Sequence, residues 1–256
     1  MTFPARDDRI VFYAAAVSSF LETSVPLYTR ELRVMFARDP EVLEWLDGTW
    51  EPEESAHGQT MRRYLAHTWP EYRWEDAYSA FLDEYTRYCG PAMLRASPAR
   101  EMLARCVTEC QAAMLYRTLA SYARDPIAAE CFSGMYADEV RHYKAFLRWF
   151  QRYRADEGLD SLTILRGLLG RRRKAQAEDA GTALRYVNYG WSRALPFAPL
   201  EQDGVLALAR DAMAAHFPLE SARKMMVKPL EAVSPVGAVM ARALGMAISR
   251  AAQPVV

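Results

Sequence analysis

The tetrapeptide Ala-Arg-Asp-Pro occurs twice, at residues 37–40 and 123–126, each time between two long stretches rich in helix formers. An Asp followed by Pro is a helix start: the carboxylate can cap the first turn, and proline is tolerated at the first helical position. A connection this short folds the helices before and after it into an antiparallel pair. The chain is therefore expected to build two hairpins, helix A (about 8–37) with helix B (40–67), and helix C (97–124) with helix D (126–153). A longer crossover joins them and carries a short helix at 74–88. Pro70, Gly90-Pro91 and Ser97-Pro98 punctuate the chain, Gly48 loosens helix B, and stretches 161–178, 201–215 and 219–250 read as further helices. Glycine is scarce and β-branched runs are few, so no strand is expected. The fold class that follows is all-α: a four-helix bundle over residues 7–155, with 160–256 packed on it as additional helices of a single domain, 1–256.

The chain holds only four histidines, and two of them follow a glutamate by three positions, in Glu54-Ser55-Ala56-His57 and Glu139-Val140-Arg141-His142. On a helix that spacing places both side chains on one face. Glu54 stands 14 residues after Pro40 and Glu139 stands 13 after Pro126; on the partner helices Glu22 stands 18 before Pro40 and Glu109 stands 17 before Pro126. Each hairpin thus sets a lone Glu opposite a Glu-x-x-His at one height. Glu31, nine residues from the turn, would miss that height by roughly 13 Å at ~1.5 Å per residue. Four carboxylates and two imidazoles inside a bundle need compensating charge. Two divalent metals supply it, and the oxygen and nitrogen donors suit iron, with manganese as the alternative. Ligand histidines usually donate their second ring N–H to a carboxylate. Asp138 toward His57 and Glu53 toward His142 are the expected pairs.

These residues resemble the soluble acyl-carrier-protein desaturases of the ferritin-like superfamily. Glu53-Glu54-Ser55-Ala56-His57-Gly58 is similar to the family's Glu-Glu-x-x-His-Gly, Ala137-Asp138-Glu139-Val140-Arg141-His142 to its Ala-Asp-Glu-x-Arg-His, and Glu22-Thr23-Ser24-Val25-Pro26-Leu27-Tyr28 to its Glu-Glu-x-Leu-Pro-x-Tyr. Pro26 lacks the N–H that would bond the Glu22 carbonyl, so a kink is expected beside the site. The resemblance implies a ferritin-like di-iron enzyme in which Glu54 and Glu139 bridge two irons, Glu22 and Glu109 are terminal ligands, and His57 and His142 take one iron each. It implies a dioxygen-dependent oxidase that desaturates or hydroxylates an acyl chain held on acyl carrier protein, with electrons from a ferredoxin-type donor. Ala112 departs from the family's pattern, which has a hydroxyl residue there. The same six ligands would serve a di-iron oxygenase of another small substrate, by hydroxylation, N-oxygenation or aldehyde deformylation. A ferritin-like bundle that handles iron itself is the rival from outside oxidative metabolism.

Charge is balanced overall, at 32 bases and 32 acids, yet unevenly spread. Residues 39–84 hold 12 acids and 3 bases, whereas residues 141–174 hold 3 acids and 10 bases. The run Arg171-Arg172-Arg173-Lys174 is the candidate docking site for an acidic carrier protein. No aromatic-interleaved basic motif accompanies it, so nucleic acid is not an expected partner. The four cysteines form no Cys-x-x-Cys pair, and Cys106 and Cys110 read as buried, inert thiols. Tyr116, Tyr136 and Tyr143, within two turns of the expected ligands, read chiefly as core. No run of about 18 consecutive apolar residues is present, and residues 1–8 lack a signal pattern, so a cytoplasmic protein without a membrane partner is expected. Met225-Met226 and the apolar 236–248 stretch read as amphipathic packing or a dimer face, and a homodimer is expected.

Overall fold

The computed structural model describes residues 5–231 and 233–251, the side chains of 93, 171–178, 211–213 and 249–251 apart. All regular structure among these residues is helical. The helices are α1 (Arg9–Thr23), α2 (Val25–Met35), α3 (Pro40–Trp45), α4 (Glu51–Thr68), α5 (Trp74–Tyr85), α6 (Pro98–Tyr122), α7 (Pro126–Glu157), α8 (Ser161–Val187), α9 (Gln202–His216), α10 (Leu219–Glu231) and α11 (Pro235–Ala251). The all-helical class expected from the sequence is what forms. Both copies of the tetrapeptide act as helix starts: Asp39 accepts from the Val42 N–H at 3.3 Å, and Asp125 from the Ala128 N–H at 3.0 Å.

Two expected helices are divided. Helix A breaks at Ser24 into α1 and α2, with Pro26 in the first turn of α2. Helix B opens into a π-turn, Leu46–Trp50, between α3 and α4. Pro52 has no N–H to offer the Gly48 carbonyl, so the backbone widens and the Glu51 N–H bonds back to the Leu46 carbonyl. Stretch 219–250 is two helices, because Ser234-Pro235 starts a new one and the Ser234 hydroxyl accepts from the Gly237 N–H. The helix expected at 161–178 runs on to Val187.

The chain divides into two compact units. The first comprises 1–94, 119–132 and 176–212. Here α1 packs on α4. The pairing is antiparallel, since Gly58 meets Thr23 while, eleven residues on, Trp69 Nε1 donates to the Arg6 carbonyl at 2.9 Å. Phe12 anchors this end, with Trp69, Tyr72 and Phe197 edge-on around it. Phe20 of α1 packs against Phe81 and a stacked Trp74–Tyr78 pair of α5.

The second unit comprises 95–118, 133–175 and 213–256. Its α6 and α7 also run antiparallel: Glu109 lies beside His142, while Glu157 at the end of α7 accepts from the Ala99 N–H at the start of α6. Ser97 does not cap α6 as its sequence context suggests; its hydroxyl donates to Glu157, which takes the capping role. Gly158, at φ +65°, supplies the left-handed residue that ends α7, and Asp160 caps α8 through the Thr163 N–H. The segment α1–α2, Arg9–Met35, is long and apolar enough to cross a membrane by length and composition. Serines and Glu22 interrupt its apolar run, and more than half of its most apolar window is buried within the protein.

Candidate metal centre

Each unit gathers two carboxylates and one imidazole. In the first, Glu22 near the end of α1 meets Glu54 and His57 from α4. All three side chains are buried, with ligand atoms within 4.8 Å of one another. Proline shapes both helices of this arrangement: the break before Pro26 follows Glu22 by two residues, and the π-turn forced by Pro52 ends at Trp50, about one turn before Glu54. Gly58, the next residue after His57, permits the close approach. A Cβ there would lie 2.5 Å from Thr23 Oγ1 and 2.6 Å from the Thr23 backbone nitrogen. Glu31 is buried as well, yet it takes an ion pair from Arg30 at 2.9 Å and has no part in the triad.

In the second unit, Glu109 from α6 meets Glu139 and His142 from α7, again buried and within 4.8 Å. His142 Nδ1 stands 3.7 Å from Glu109 Oε2 and 3.8 Å from Glu139 Oε2. Burial alone would raise the Glu109 carboxyl. The nearby His142 imidazole and Glu139 carboxyl, with the charge of Arg105, outweigh that and hold it below the usual carboxylate range. Glu109 is thus ready as an anionic ligand.

Around this triad are groups that spacing alone did not reveal. One and two turns before Glu109, Arg105 and Glu101 form a buried ion pair at 3.1 Å, and Glu101 also accepts from the Arg95 N–H at 2.8 Å. Tyr143, next to His142, donates its hydroxyl to the Met225 carbonyl at 2.6 Å and so ties α7 to α10. The only local signal for this tie is a tyrosine beside a ligand; its acceptor is a backbone atom 82 residues away. Tyr116 is core, and Tyr136 lies beneath the Arg117 guanidinium. Cys106 and Cys110 are buried and free; burial pushes the Cys110 thiol up to about 12, and burial with the nearby Glu109 charge raises Cys106 as well. Both stay protonated and inert.

A family model described as Rubrerythrin matches residues 101–180. That match and the buried triads support a ferritin-like di-iron protein. The matched stretch carries Glu109, Glu139 and His142 and ends within α8, leaving Glu22, Glu54 and His57 outside it. No curated protein and no solved structure matches the chain.

The donor set fits divalent iron. Each triad carries two negative charges when its carboxylates are ionised, which one divalent cation cancels, and hard oxygen with imidazole nitrogen is a donor mixture iron accepts. Of the expected supporting acids, Asp138 takes an ion pair from Arg141 and Glu53 is half-buried on α4. The side chains of Arg171, Arg172, Arg173 and Lys174 lie outside the described residues.

Proposed function

We propose that the two triads form one dinuclear iron centre, with Glu54 and Glu139 bridging, Glu22 and Glu109 terminal, and His57 and His142 on one iron each. The protein is then a dioxygen-dependent oxidase acting on an acyl chain, delivered as an acyl-carrier-protein thioester and supplied with electrons by a ferredoxin-type donor. The duplication carries this reading: the same buried pair of carboxylates and one imidazole occurs twice, on matched helical hairpins. When bound, the metals supply dioxygen activation and an electron store, which no side chain offers against an unactivated C–H bond.

The chain's own residues do the rest. The six ligands fix the metals and neutralise their charge. Asp138 and Glu53 orient the two imidazoles through their second ring N–H groups. The packed aromatic and aliphatic side chains of both units exclude water, and Arg171 to Lys174 attract the acidic carrier. Ala112, where the resembling family carries a hydroxyl residue, favours one second reading: an oxygenase of another small substrate that uses the same centre.

Oxygen uptake by the iron-loaded, chemically reduced protein, with saturated acyl-carrier-protein thioesters and mass spectrometry of the released chain, tests the assignment. A loss of two mass units identifies desaturation and a gain of sixteen hydroxylation. Uptake only with other substrates supports the second reading, and no coupled uptake with any substrate overturns both. Asp138→Ala is expected to weaken iron retention about 10-fold to 100-fold. Unchanged retention removes Asp138 from the imidazole's support.

A further inference from the structure

The second unit carries an apolar surface that neither the metal site nor its core uses. Along α11, Gly237, Ala241, Leu244 and Gly245 face inward onto α10: a Cβ at Gly237 would lie 2.6 Å from the Leu230 carbonyl, and one at Gly245 3.4 Å from Arg223 Cγ. The opposite face presents Val236, Val239 and Met246 at 59%, 56% and 57% exposure. The first three turns of α8 repeat the pattern, with Leu162 and Leu169 exposed seven residues apart and Arg166 between them. The two helices begin at one corner, where Ser161 Oγ stands 3.1 Å from Ser234 Oγ. Ser161–Gly170 and Pro235–Ile248 are both apolar, and both are too short to cross a bilayer.

Charge says what covers this face. Residues 161–177 contain five bases and no acid, and α11 contains Arg242 and Arg250 and no acid. Of the acids that flank these segments in the sequence, Asp160 caps α8 and Glu231 pairs with Lys228 at 3.4 Å, while Glu178 and Asp179 follow the basic run in the second half of α8. A second copy would set Arg166 and Arg242 against like charge, which argues against the dimer face expected from the sequence. Exposed aliphatic side chains with exposed Arg166 and Arg242 among them match an anionic lipid surface, where the apolar groups enter the acyl boundary and the arginines meet headgroup phosphates.

We propose that α11 and the first half of α8 form an in-plane docking face for an anionic membrane. This replaces the expectation that no membrane takes part, and it does not depend on the metal reading. Co-sedimentation of the full chain with phosphatidylglycerol-rich vesicles, against pure phosphatidylcholine vesicles, tests it. The protein is expected to pellet with the anionic vesicles only and to be released by salt. Val239→Asp and Met246→Asp, both at exposed positions, are expected to abolish binding, and Arg242→Ala to weaken it about fivefold, all with iron content and helicity unchanged. Failure of the unaltered protein to pellet, or equal pelleting with both vesicle types, overturns the proposal. So does a dimer in light scattering that Val239→Asp splits while neither vesicle is bound.

Discussion

At Gly58 a single hydrogen atom decides whether two ligand-bearing helices can meet. A Cβ there would press on the Thr23 hydroxyl and on backbone beside Glu22, and backbone cannot move aside as a flexible side chain can. Gly58→Ala is therefore expected to destabilise the fold by about 1–3 kcal/mol and to loosen iron on the Glu22 side, as seen in thermal melts and metal retention together. Cys110 makes a prediction in pH. Its folded thiol is raised to about 12, from an unfolded value near ~8.5. The stability this contributes is complete below the unfolded value and declines as pH rises toward 12, since only the unfolded chain ionises in that window. Denaturant titrations should show that alkaline decline reduced in Cys110→Ala, and peptide mapping should show that Cys110 of the folded protein resists thiol alkylation at neutral pH while the half-buried Cys89 and Cys131 are open to it. A fast reaction at Cys110 would contradict the burial.

Helices repeat the lesson at larger scale. The hairpins, and the three residues each brings together, were legible in the sequence because two local signals coincide: a capping Asp-Pro pair that fixes where a helix begins, and helical spacing from that point to each ligand. The interruptions were less legible. Pro26 announces its kink, whereas the π-turn before Glu54 depends on Pro52 removing a donor four residues after Gly48, and sequence alone showed only a loosened glycine. Long-range partners were not legible at all. Glu157 capping α6 and Tyr143 bonding to Met225 depend on residues brought together by the fold and leave no spacing to read. The Glu101–Arg105 pair looks in sequence like an ordinary solvated i, i+4 couple, yet both side chains are buried. Glu101→Ala alone is expected to cost about 3–5 kcal/mol by removing the carboxylate that pairs with a buried guanidinium, while Glu101→Met with Arg105→Leu should recover most of that loss. Urea titrations of the single and double variants measure the difference, and additive losses would contradict a coupled buried pair.

For the whole molecule, the ligand set is divided between two compact units, with a complete triad in each. Helices α6, α7, α8 and α9 contribute residues to both units, and the Rubrerythrin match covers only the stretch that holds the second triad. The central claim is that the two triads act as one dinuclear centre. Metal content per chain, by mass spectrometry after anaerobic loading with ferrous iron and gel filtration, tests it most directly when Glu54→Ala and Glu139→Ala are run beside the unaltered protein. About two irons per chain, both lost in either variant, is the predicted result. No uptake by the folded protein, or loss of one iron with the other retained in each variant, would contradict it.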